Sequence, residues 1–326
     1  MQGSRPSLPI LLLLSAALPG ALPDAGAAEL IPSDDSYTVS QRYYEYKVQN
    51  PELEWPVLRF LAGQEILFDR LYKKVGDREL HIDIFLPQPA LRNHQAIMLV
   101  HGGGWRSGNK SHFYPMANLL AQRGYTVFLP EYRLSAEALY PNGLVDLNDA
   151  IVWAKKQSDQ YGFDQDRLAL GGGSSGGQMA ALLAYTADEP LYMSNAADDT
   201  HISALIDLDG VLDFTTPLAI EYENKLGDQS AAGLWFGGAM EKAPEKWTEA
   251  SAVRHIDEFS PPTLIISSGQ LRFTAGSEQV RHDLDKHGIR NEYFQYNEVI
   301  HTFWLFEPYL GEVVDKVDKF LNPADR

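Results

Sequence analysis

Short, continuously apolar runs alternate with longer amphipathic segments through most of the chain. Runs such as 96–100 and 168–170 are typical of strands that are covered on both faces of a sheet. The pattern predicts strands at 79–85, 96–100, 126–129, 168–170, from 203 to about 209, and at 262–266 and 291–296. In segment 143–155 the predicted apolar face of a helix consists of Val145, Leu147, Ile151 and Trp153. Strands that alternate with helices indicate an α/β fold with a mostly parallel, doubly wound sheet and helices on both faces.

One predicted strand runs directly into glycines and serines. Residues 168–178 read Leu-Ala-Leu-Gly-Gly-Gly-Ser-Ser-Gly-Gly-Gln, which places Ser174 in the pattern G-x-S-x-G before a predicted helix at 174–185. This pattern is typical of a nucleophile elbow, a sharp strand-to-helix turn that lifts the serine hydroxyl above the sheet. A phosphate loop would require a lysine after the serine, which is absent, and a flexible linker would not lie between apolar segments. We therefore predict that Ser174 is a nucleophile.

A second glycine-rich segment follows the predicted strand at 96–100. Residues 101–105 read His-Gly-Gly-Gly-Trp, the type of loop that donates backbone N–H groups to an oxyanion in lipases and esterases. Fixed donors of this kind stabilise the negative charge of a tetrahedral intermediate. We expect the amides of Gly102, Gly103 and Ser175 to form the oxyanion hole.

The expected general base and acid come later in the chain. His301 follows the strand predicted at 291–296, the position of the base in this type of fold. The usual position of the acid, after the strand at 262–266, holds Arg272 and no carboxylate before Glu278. The strand that begins at 203 ends near Asp209, so we propose Asp209 as the acid, with Glu221 as the alternative.

These motifs together resemble the α/β-hydrolase superfamily, in its acetyl-esterase and feruloyl-esterase-like branch. The segments 206–214, 267–276 and 301–306 are in addition similar to secreted polysaccharide esterases, a subgroup that includes pectin methylesterases. The resemblance spans about residues 65 to 321. It implies a serine ester hydrolase that acts through an acyl-enzyme on O-acetyl or methyl esters of a polysaccharide or oligosaccharide. Alternatives are a small-molecule esterase, formamidase or peptidase of the same fold, or a non-catalytic binding protein.

Within this subgroup Arg272 would belong to the pattern. A guanidinium matches a carboxylate in two parallel hydrogen bonds, so Arg272 is a candidate contact for a uronate carboxylate of the substrate. The alternative is a structural ion pair. Trp105 and Trp304 flank the motifs and are candidates to present ring faces to sugars.

Length and composition set the organisation of the chain. The 326 residues suit a single catalytic domain at 65–326, with a cap insertion at about 215–246 and an N-terminal extension at 28–64. Residues 1–27 combine an arginine, an apolar run and small residues before a cleavage point, the pattern of a signal peptide, so we expect export to the periplasm or the medium. The apolar run is too short to span a membrane.

Charge and residue types limit the partners. The net charge of −17 argues against nucleic acid, whose binding needs basic patches. It also opposes an anionic polymer, unless a local basic region at Arg106, Lys110 and Arg272 offsets it. The chain has no cysteine, and its histidines show no metal-binding spacing, so we expect neither disulfides nor a cofactor.

Overall fold

The fold is built on one sheet of eight strands. The computed structural model describes residues 34, 37–187 and 189–323, so the predicted signal peptide lies outside the described residues. The strands are β1 (Glu65–Val75), β2 (Arg78–Leu86), β3 (Ala96–Val100), β4 (Thr126–Pro130), β5 (Leu168–Gly173), β6 (Ala204–Leu208), β7 (Thr263–Ser267) and β8 (Asn291–Gln295). Their order across the sheet is β1-β2-β4-β3-β5-β6-β7-β8. Strands β3 to β8 are parallel, whereas β1 and β2 pair antiparallel at one edge.

Helices cover both faces of this sheet, as the alternation predicted. They are α1 (Val39–Gln49), α2 (Tyr114–Gln122), α3 (Asn142–Lys156), α4 (Ser158–Tyr161), α5 (Ser175–Tyr185), α6 (Pro217–Glu223), α7 (Ala231–Phe236), α8 (Pro244–Glu249), α9 (Ser277–Lys286) and α10 (Tyr309–Leu321). Side chains of a strand alternate between faces, so Ile97 and Leu99 join an apolar cluster with α2 and α10, while Met98 and Val100 join another with α3, α5 and α9. The mostly parallel α/β sheet expected from the sequence is confirmed.

Two details of the fold differ from the sequence prediction. Strand β1 was not predicted, because it lies at the sheet edge, where its side chains are exposed or half-buried and mostly polar beyond the short run 66–68. On α3 the fully buried positions include Leu144, Leu147 and Ile151, whereas Val145 and Trp153 are only half-buried. The predicted apolar face was therefore rotated from the true one, because the buried face also contains the polar side chains of Asp146, Asn148 and Lys155, which an apolar pattern leaves out.

The N-terminal extension packs on the body of the domain. The side chain of Leu53 is fully buried, and the ring of Tyr43 lies 5.6 Å from that of Phe306. The backbones of Glu54 and Glu307 pair as an isolated antiparallel bridge. These contacts bring the extension next to the loop that follows β8.

The insertion at 215–246 holds α6, α7 and the first residues of α8. Its base is part of the core, because Trp235 and Phe236 are buried and the ring of Trp235 stacks on Trp105 at 4.9 Å. Within the described ranges, none of the helices is long and apolar enough to cross a membrane.

Candidate active site

Ser174 lies in a strained turn between β5 and α5. Its φ of 57° and ψ of −126° place a non-glycine residue in a backbone region that is rarely occupied. The turn depends on its glycines, because a Cβ at Gly172 would overlap the Gly176 carbonyl and a Cβ at Gly176 would overlap the Val100 carbonyl. The strand, turn and helix thus hold the Ser174 side chain above the carboxyl ends of the parallel strands, where ligands of open α/β sheets bind.

The side chains of Ser174, His301 and Asp209 form a continuous hydrogen-bonded chain. Ser174 Oγ lies 2.8 Å from His301 Nε2, and His301 Nδ1 lies 2.9 Å from Asp209 Oδ2. Since a carboxylate only accepts, we assign the imidazole proton to Nδ1, which leaves Nε2 free to accept from the serine. The structure brings together the serine, histidine and first-ranked carboxylate of the sequence analysis.

Asp209 reaches this position from the end of β6. It directly follows the strand with a φ of 56°, and its Oδ1 accepts a hydrogen bond from the Ser268 amide at 2.7 Å. That second contact fixes the carboxylate plane, and the side chain is buried. The alternative acid, Glu221, is exposed on α6 and makes no contact with His301 within the part of the chain that the structure describes.

The environment of His301 favours the neutral imidazole. Burial lowers the pKa of His301 below its ordinary value of 6.5, although the hydrogen bond and charge of Asp209 oppose the shift. The Phe273 ring stacks on the imidazole with a centroid distance of 3.5 Å and an interplanar angle of 7°, which fixes the ring plane. His301 is therefore oriented and able to accept a proton at neutral pH.

Asp207 is a second buried carboxyl group on β6, two residues before Asp209. Burial raises its pKa to about 8, the Asp209 charge adds to the rise, and a hydrogen bond from the Gly210 amide at 3.0 Å opposes it. Asp207 is therefore protonated at neutral pH and adds no second negative charge beside Asp209.

The glycine loop after β3 lies against the nucleophile. A Cβ at Gly102 would approach Ser174 Cβ to 3.0 Å, and Gly103 adopts a φ of 132°, which favours glycine. His101 Nδ1 lies 2.9 Å from the Gly102 carbonyl oxygen, so we assign it as the donor. Because C=O and N–H point in opposite directions across a trans peptide, this bond turns the Gly103 N–H away from His101.

His101 is suited to this supporting contact. Burial lowers its pKa to about 4, so the ring is neutral at pH 7 and carries one proton, on Nδ1. Its ring stacks on Tyr132 at 4.5 Å, and the Tyr132 hydroxyl donates to the His101 carbonyl. Among the described residues, no backbone carbonyl accepts from the amide of Gly103 or Ser175. Two of the three predicted oxyanion donors, the amides of Gly103 and Ser175, therefore have no backbone acceptor that competes with a ligand.

A cavity of about 610 Å³ opens above Ser174 and His301. Its walls include Tyr37, Arg42 and Tyr46 of the N-terminal extension and Tyr222 of α6, which is 40% exposed. Sequence reasoning missed all four, because no motif marks them. For the three residues of the extension, the only signal in the sequence that they could line a cavity was the aromatic and polar composition of that segment.

Two predicted substrate contacts are wrong as sugar platforms. Trp105 is 4% exposed, stacks on Trp235 and donates its indole N–H to Gln178 at 3.0 Å. Trp304 is 2% exposed and packs beneath Gly173, where a Cβ would overlap its ring. Both rings are held mainly by core packing, although Trp304 still borders the cavity.

Arg272 takes part in an ion pair inside the protein. Its Nε and a terminal nitrogen lie 2.5 and 2.9 Å from the two carboxylate oxygens of Glu223, which is 2% exposed. The guanidinium edge that was expected to receive a uronate carboxylate is thus held by α6. Arg272 still lines the cavity.

The expected basic region at the cavity mouth is largely neutralised. Arg106 pairs with Asp34 at 2.5 Å. Lys110 lies within 2.5 to 3.2 Å of Asp69, Asp83 and Glu131 and does not line the cavity. The pairing is in line with the acidic composition, in which 44 Asp and Glu residues outnumber 27 Lys and Arg residues. In the part of the chain that the structure describes, no group of three or more His, Cys, Asp or Glu side chains is arranged to hold a metal ion.

The parallel sheet, the serine in a strand-to-helix turn and the histidine after the last strand define an α/β hydrolase. A model of the BD-FAE family matches residues 82–271, more than half of the chain, and the chain belongs to this family.

Relatives and solved structures agree with this family. The probable carboxylic ester hydrolase LipM of Mycobacterium tuberculosis is 28% identical over 213 residues, which cover 61% of this chain and 46% of LipM. The chain spans about half the length of the curated relatives it matches. A thermophilic esterase from Thermogutta terrifontis superposes with a TM-score of 0.65 at 22% identity, covering 80% of this chain and 92% of that one. A truncated carbohydrate esterase from gut microbiota superposes with a TM-score of 0.64 at 17% identity, covering 82% of this chain and 100% of that one. These two structures share the fold.

Proposed function

We propose that this protein is an exported serine esterase that hydrolyses esters of a polysaccharide or oligosaccharide. The observation that carries the proposal is the hydrogen-bonded chain from Ser174 through His301 to Asp209 at the floor of an open cavity. An aligned nucleophile, base and orienting carboxylate are what acyl transfer needs.

In the first half of the reaction Ser174 Oγ attacks the ester carbonyl carbon. Its proton passes to His301 Nε2, 2.8 Å away, and the resulting imidazolium is stabilised by the Asp209 carboxylate. The carbonyl oxygen becomes negative and accepts hydrogen bonds from the amides of Gly103 and Ser175, with Gly102 beside them. Each such donor contributes on the order of 3 kcal/mol to transition-state stabilisation.

Collapse of this intermediate breaks the bond between the carbonyl carbon and the alcohol oxygen. His301 returns the proton to that oxygen, the alcohol leaves, and the acyl group stays on Ser174. Water then attacks the acyl-enzyme with His301 as base, which releases the acid and restores the serine.

Carbohydrate substrates are supported by the open cavity and by two structural neighbours. The cavity of about 610 Å³ has room for a sugar ring, and Tyr222 presents a partly exposed aromatic face at its wall. One structural neighbour is a carbohydrate esterase. Another is described as a bifunctional GH43-CE protein from Bacteroides eggerthii. The signal-peptide pattern of residues 1–27 supports the export that we propose.

A fluorophosphonate probe and a substrate panel test the proposal. We expect wild type, but not Ser174→Ala, to be labelled in the folded state and to release acid from acylated xylo-oligosaccharides or pectin fragments. Ser194→Ala serves as the matched control, because it removes the hydroxyl of an exposed serine that does not line the cavity. Absence of labelling at Ser174 would refute the enzyme and favour a non-catalytic binding protein.

A small-molecule esterase is the second candidate function. It is favoured by curated relatives that are described as an esterase and an arylesterase. Turnover of simple esters with no activity on acylated oligosaccharides would establish it, and turnover of amides would indicate a formamidase or peptidase.

A further inference from the structure

The N-terminal extension contacts both loops that carry groups of the active site. At one end Asp34 pairs with Arg106 of the glycine loop at 2.5 Å. At the other end the backbones of Glu54 and Glu307 exchange hydrogen bonds of 2.9 and 3.0 Å, which join the extension to the loop between β8 and α10. We call residues 34 and 37–55 the strap. It contacts the loop of the oxyanion donors and the loop of the general base.

Aromatic rings of the strap surround Phe306, which lies in the loop of the general base and is fully buried. The ring centroids of Tyr43, Tyr46 and Trp55 are 5.6, 6.4 and 6.1 Å from that of Phe306. Tyr43 and Tyr46 are three residues apart on α1 and therefore lie on one face of the helix. Because large aromatic rings bury much apolar area, this contact ties the loop to the strap.

A cluster of hydroxyl groups lies where the strap meets the residue after the general base. Burial raises the pKa of Tyr37 and of Tyr46, and the hydroxyl of Thr302 opposes the rise in both, so the three hydroxyls are close neighbours. Thr302 is 4% exposed, and neither its Oγ1 nor Tyr37 Oη has a hydrogen bond of ordinary length and angle to another described group. Buried hydroxyls are seldom left without a partner, and the Thr302 hydroxyl is the one that both phenols have within reach.

Resting on the proposed function, we propose that the strap fixes the loop of the general base. Tyr37 and Tyr46 are its positioning residues, and they act through Thr302, the residue that follows His301. All four residues line the same cavity, so the contact lies beside the reacting groups.

The body of the domain holds the imidazole itself. His301 is oriented by the hydrogen bond to Asp209 and by the ring of Phe273. These contacts act on the side chain, whereas the strap acts on the neighbouring residue and on the rest of the loop. Proton transfer from Ser174 Oγ requires a fixed distance to His301 Nε2, which is 2.8 Å here. A loop that shifts by a fraction of an ångström therefore slows the chemical step and leaves substrate binding unchanged.

Substitutions that remove single hydroxyls test this role. Thr302→Val keeps the shape of the side chain and should lower kcat for p-nitrophenyl acetate about tenfold at unchanged KM. Thr302→Ser keeps a hydroxyl and should hold kcat within about twofold of wild type. Tyr44→Phe is the matched control and should retain wild-type kcat, since Tyr44 lies on α1, is 72% exposed and does not line the cavity.

A double-mutant cycle tests whether the two tyrosines act through Thr302. Tyr37→Phe combined with Tyr46→Phe keeps both rings and should lower kcat about as much as Thr302→Val. The three substitutions together should cost no more than Thr302→Val alone, because a shared contact can be lost only once. Thermal unfolding confirms that each variant is folded.

Three results would overturn the role of the strap in an active wild-type enzyme. They are wild-type kcat in the folded valine and phenylalanine variants, losses that add in the triple variant, and a rise in KM at unchanged kcat, which would assign the hydroxyls to substrate binding. The proposed function fails separately. If wild type hydrolyses no ester and Ser174 stays unlabelled by a fluorophosphonate, both proposals are overturned.

Discussion

Asp209→Asn is the substitution that most directly probes how His301 is oriented. Asparagine is nearly isosteric with aspartate, and its carbonyl oxygen can keep the hydrogen bond from the Ser268 amide. The amide nitrogen of the asparagine would then face His301 Nδ1. Both groups carry a proton and donate, so no hydrogen bond could form between them. The imidazole would relieve this contact by moving its proton to Nε2, and that nitrogen would no longer accept the proton of Ser174.

The size of the loss follows from the charge and the tautomer. A carboxylate about 4 Å from the centre of an imidazolium contributes about 4 kcal/mol at an effective dielectric constant of 20, or about 10³-fold in rate. The wrong tautomer adds to this, and the same change in a serine protease costs about 10⁴-fold in kcat. We expect Asp209→Asn to reduce kcat/KM by about 10³- to 10⁴-fold, with little change in KM.

The assay measures p-nitrophenyl acetate hydrolysis from about pH 5 to about pH 9. Thermal unfolding confirms that the variant is folded. Loss of Asp209 also removes the contacts that raise the pKa of His301, so the acid limb of any residual activity should move to lower pH. Glu221→Gln, an exposed carboxylate on α6, is the control and should retain wild-type activity. A folded Asp209→Asn enzyme within about tenfold of wild type would refute the proposed role of Asp209.

Two further predictions concern buried charges. Arg272→Ala leaves the Glu223 carboxylate buried without its ion pair. We expect the free energy of unfolding, measured in urea, to fall by about 2 kcal/mol, a figure kept small because Arg272 is partly exposed and its charge is screened by solvent. Its kcat/KM should fall equally on charged and neutral esters, and a selective loss on charged esters would instead indicate that Arg272 contacts a substrate carboxylate. Asp207→Asn should stabilise the protein increasingly as pH rises from its ordinary pKa of 3.8 toward about 8, because the folded state holds a proton that the unfolded state has released. Between pH 5 and 7 this gain should grow by about 3 kcal/mol, measured as unfolding free energy, and a pH-independent difference would contradict the raised pKa.

The local patterns of the sequence were sufficient for the sheet and for the serine. Continuous apolar runs predicted β3, β4 and β7 to within about two residues. The strand that enters glycines at Ser174 predicted the turn, because only glycines fit where the chain passes so close to itself. Strand β1 was missed, since at the sheet edge its side chains are exposed or half-buried and its apolar run is limited to Ile66, Leu67 and Phe68.

The acid was harder, because its identity depends on contacts between distant parts of the chain. Asp209 and His301 are separated by 92 residues and meet because β6 and the loop after β8 end at the same edge of the sheet. The sequence ranked Asp209 first, but only the hydrogen bond to His301 Nδ1 separates it from Glu221. The same limit of sequence reasoning applies to Trp105, Trp304 and Arg272. Their positions next to the motifs do not reveal whether each side chain faces the substrate or the core.

The sequence by itself determined the class of fold, the nucleophile in its turn and the two glycine-rich motifs, because these depend on spacing and backbone sterics within a few residues. Only the tertiary structure decided what surrounds them. It placed Tyr37, Arg42 and Tyr46 of the N-terminal extension at the cavity wall, paired Arg272 with Glu223, and left an open cavity beside Ser174 and His301. The volume of a cavity is a property of side chains that come from many elements, so no local pattern encodes it.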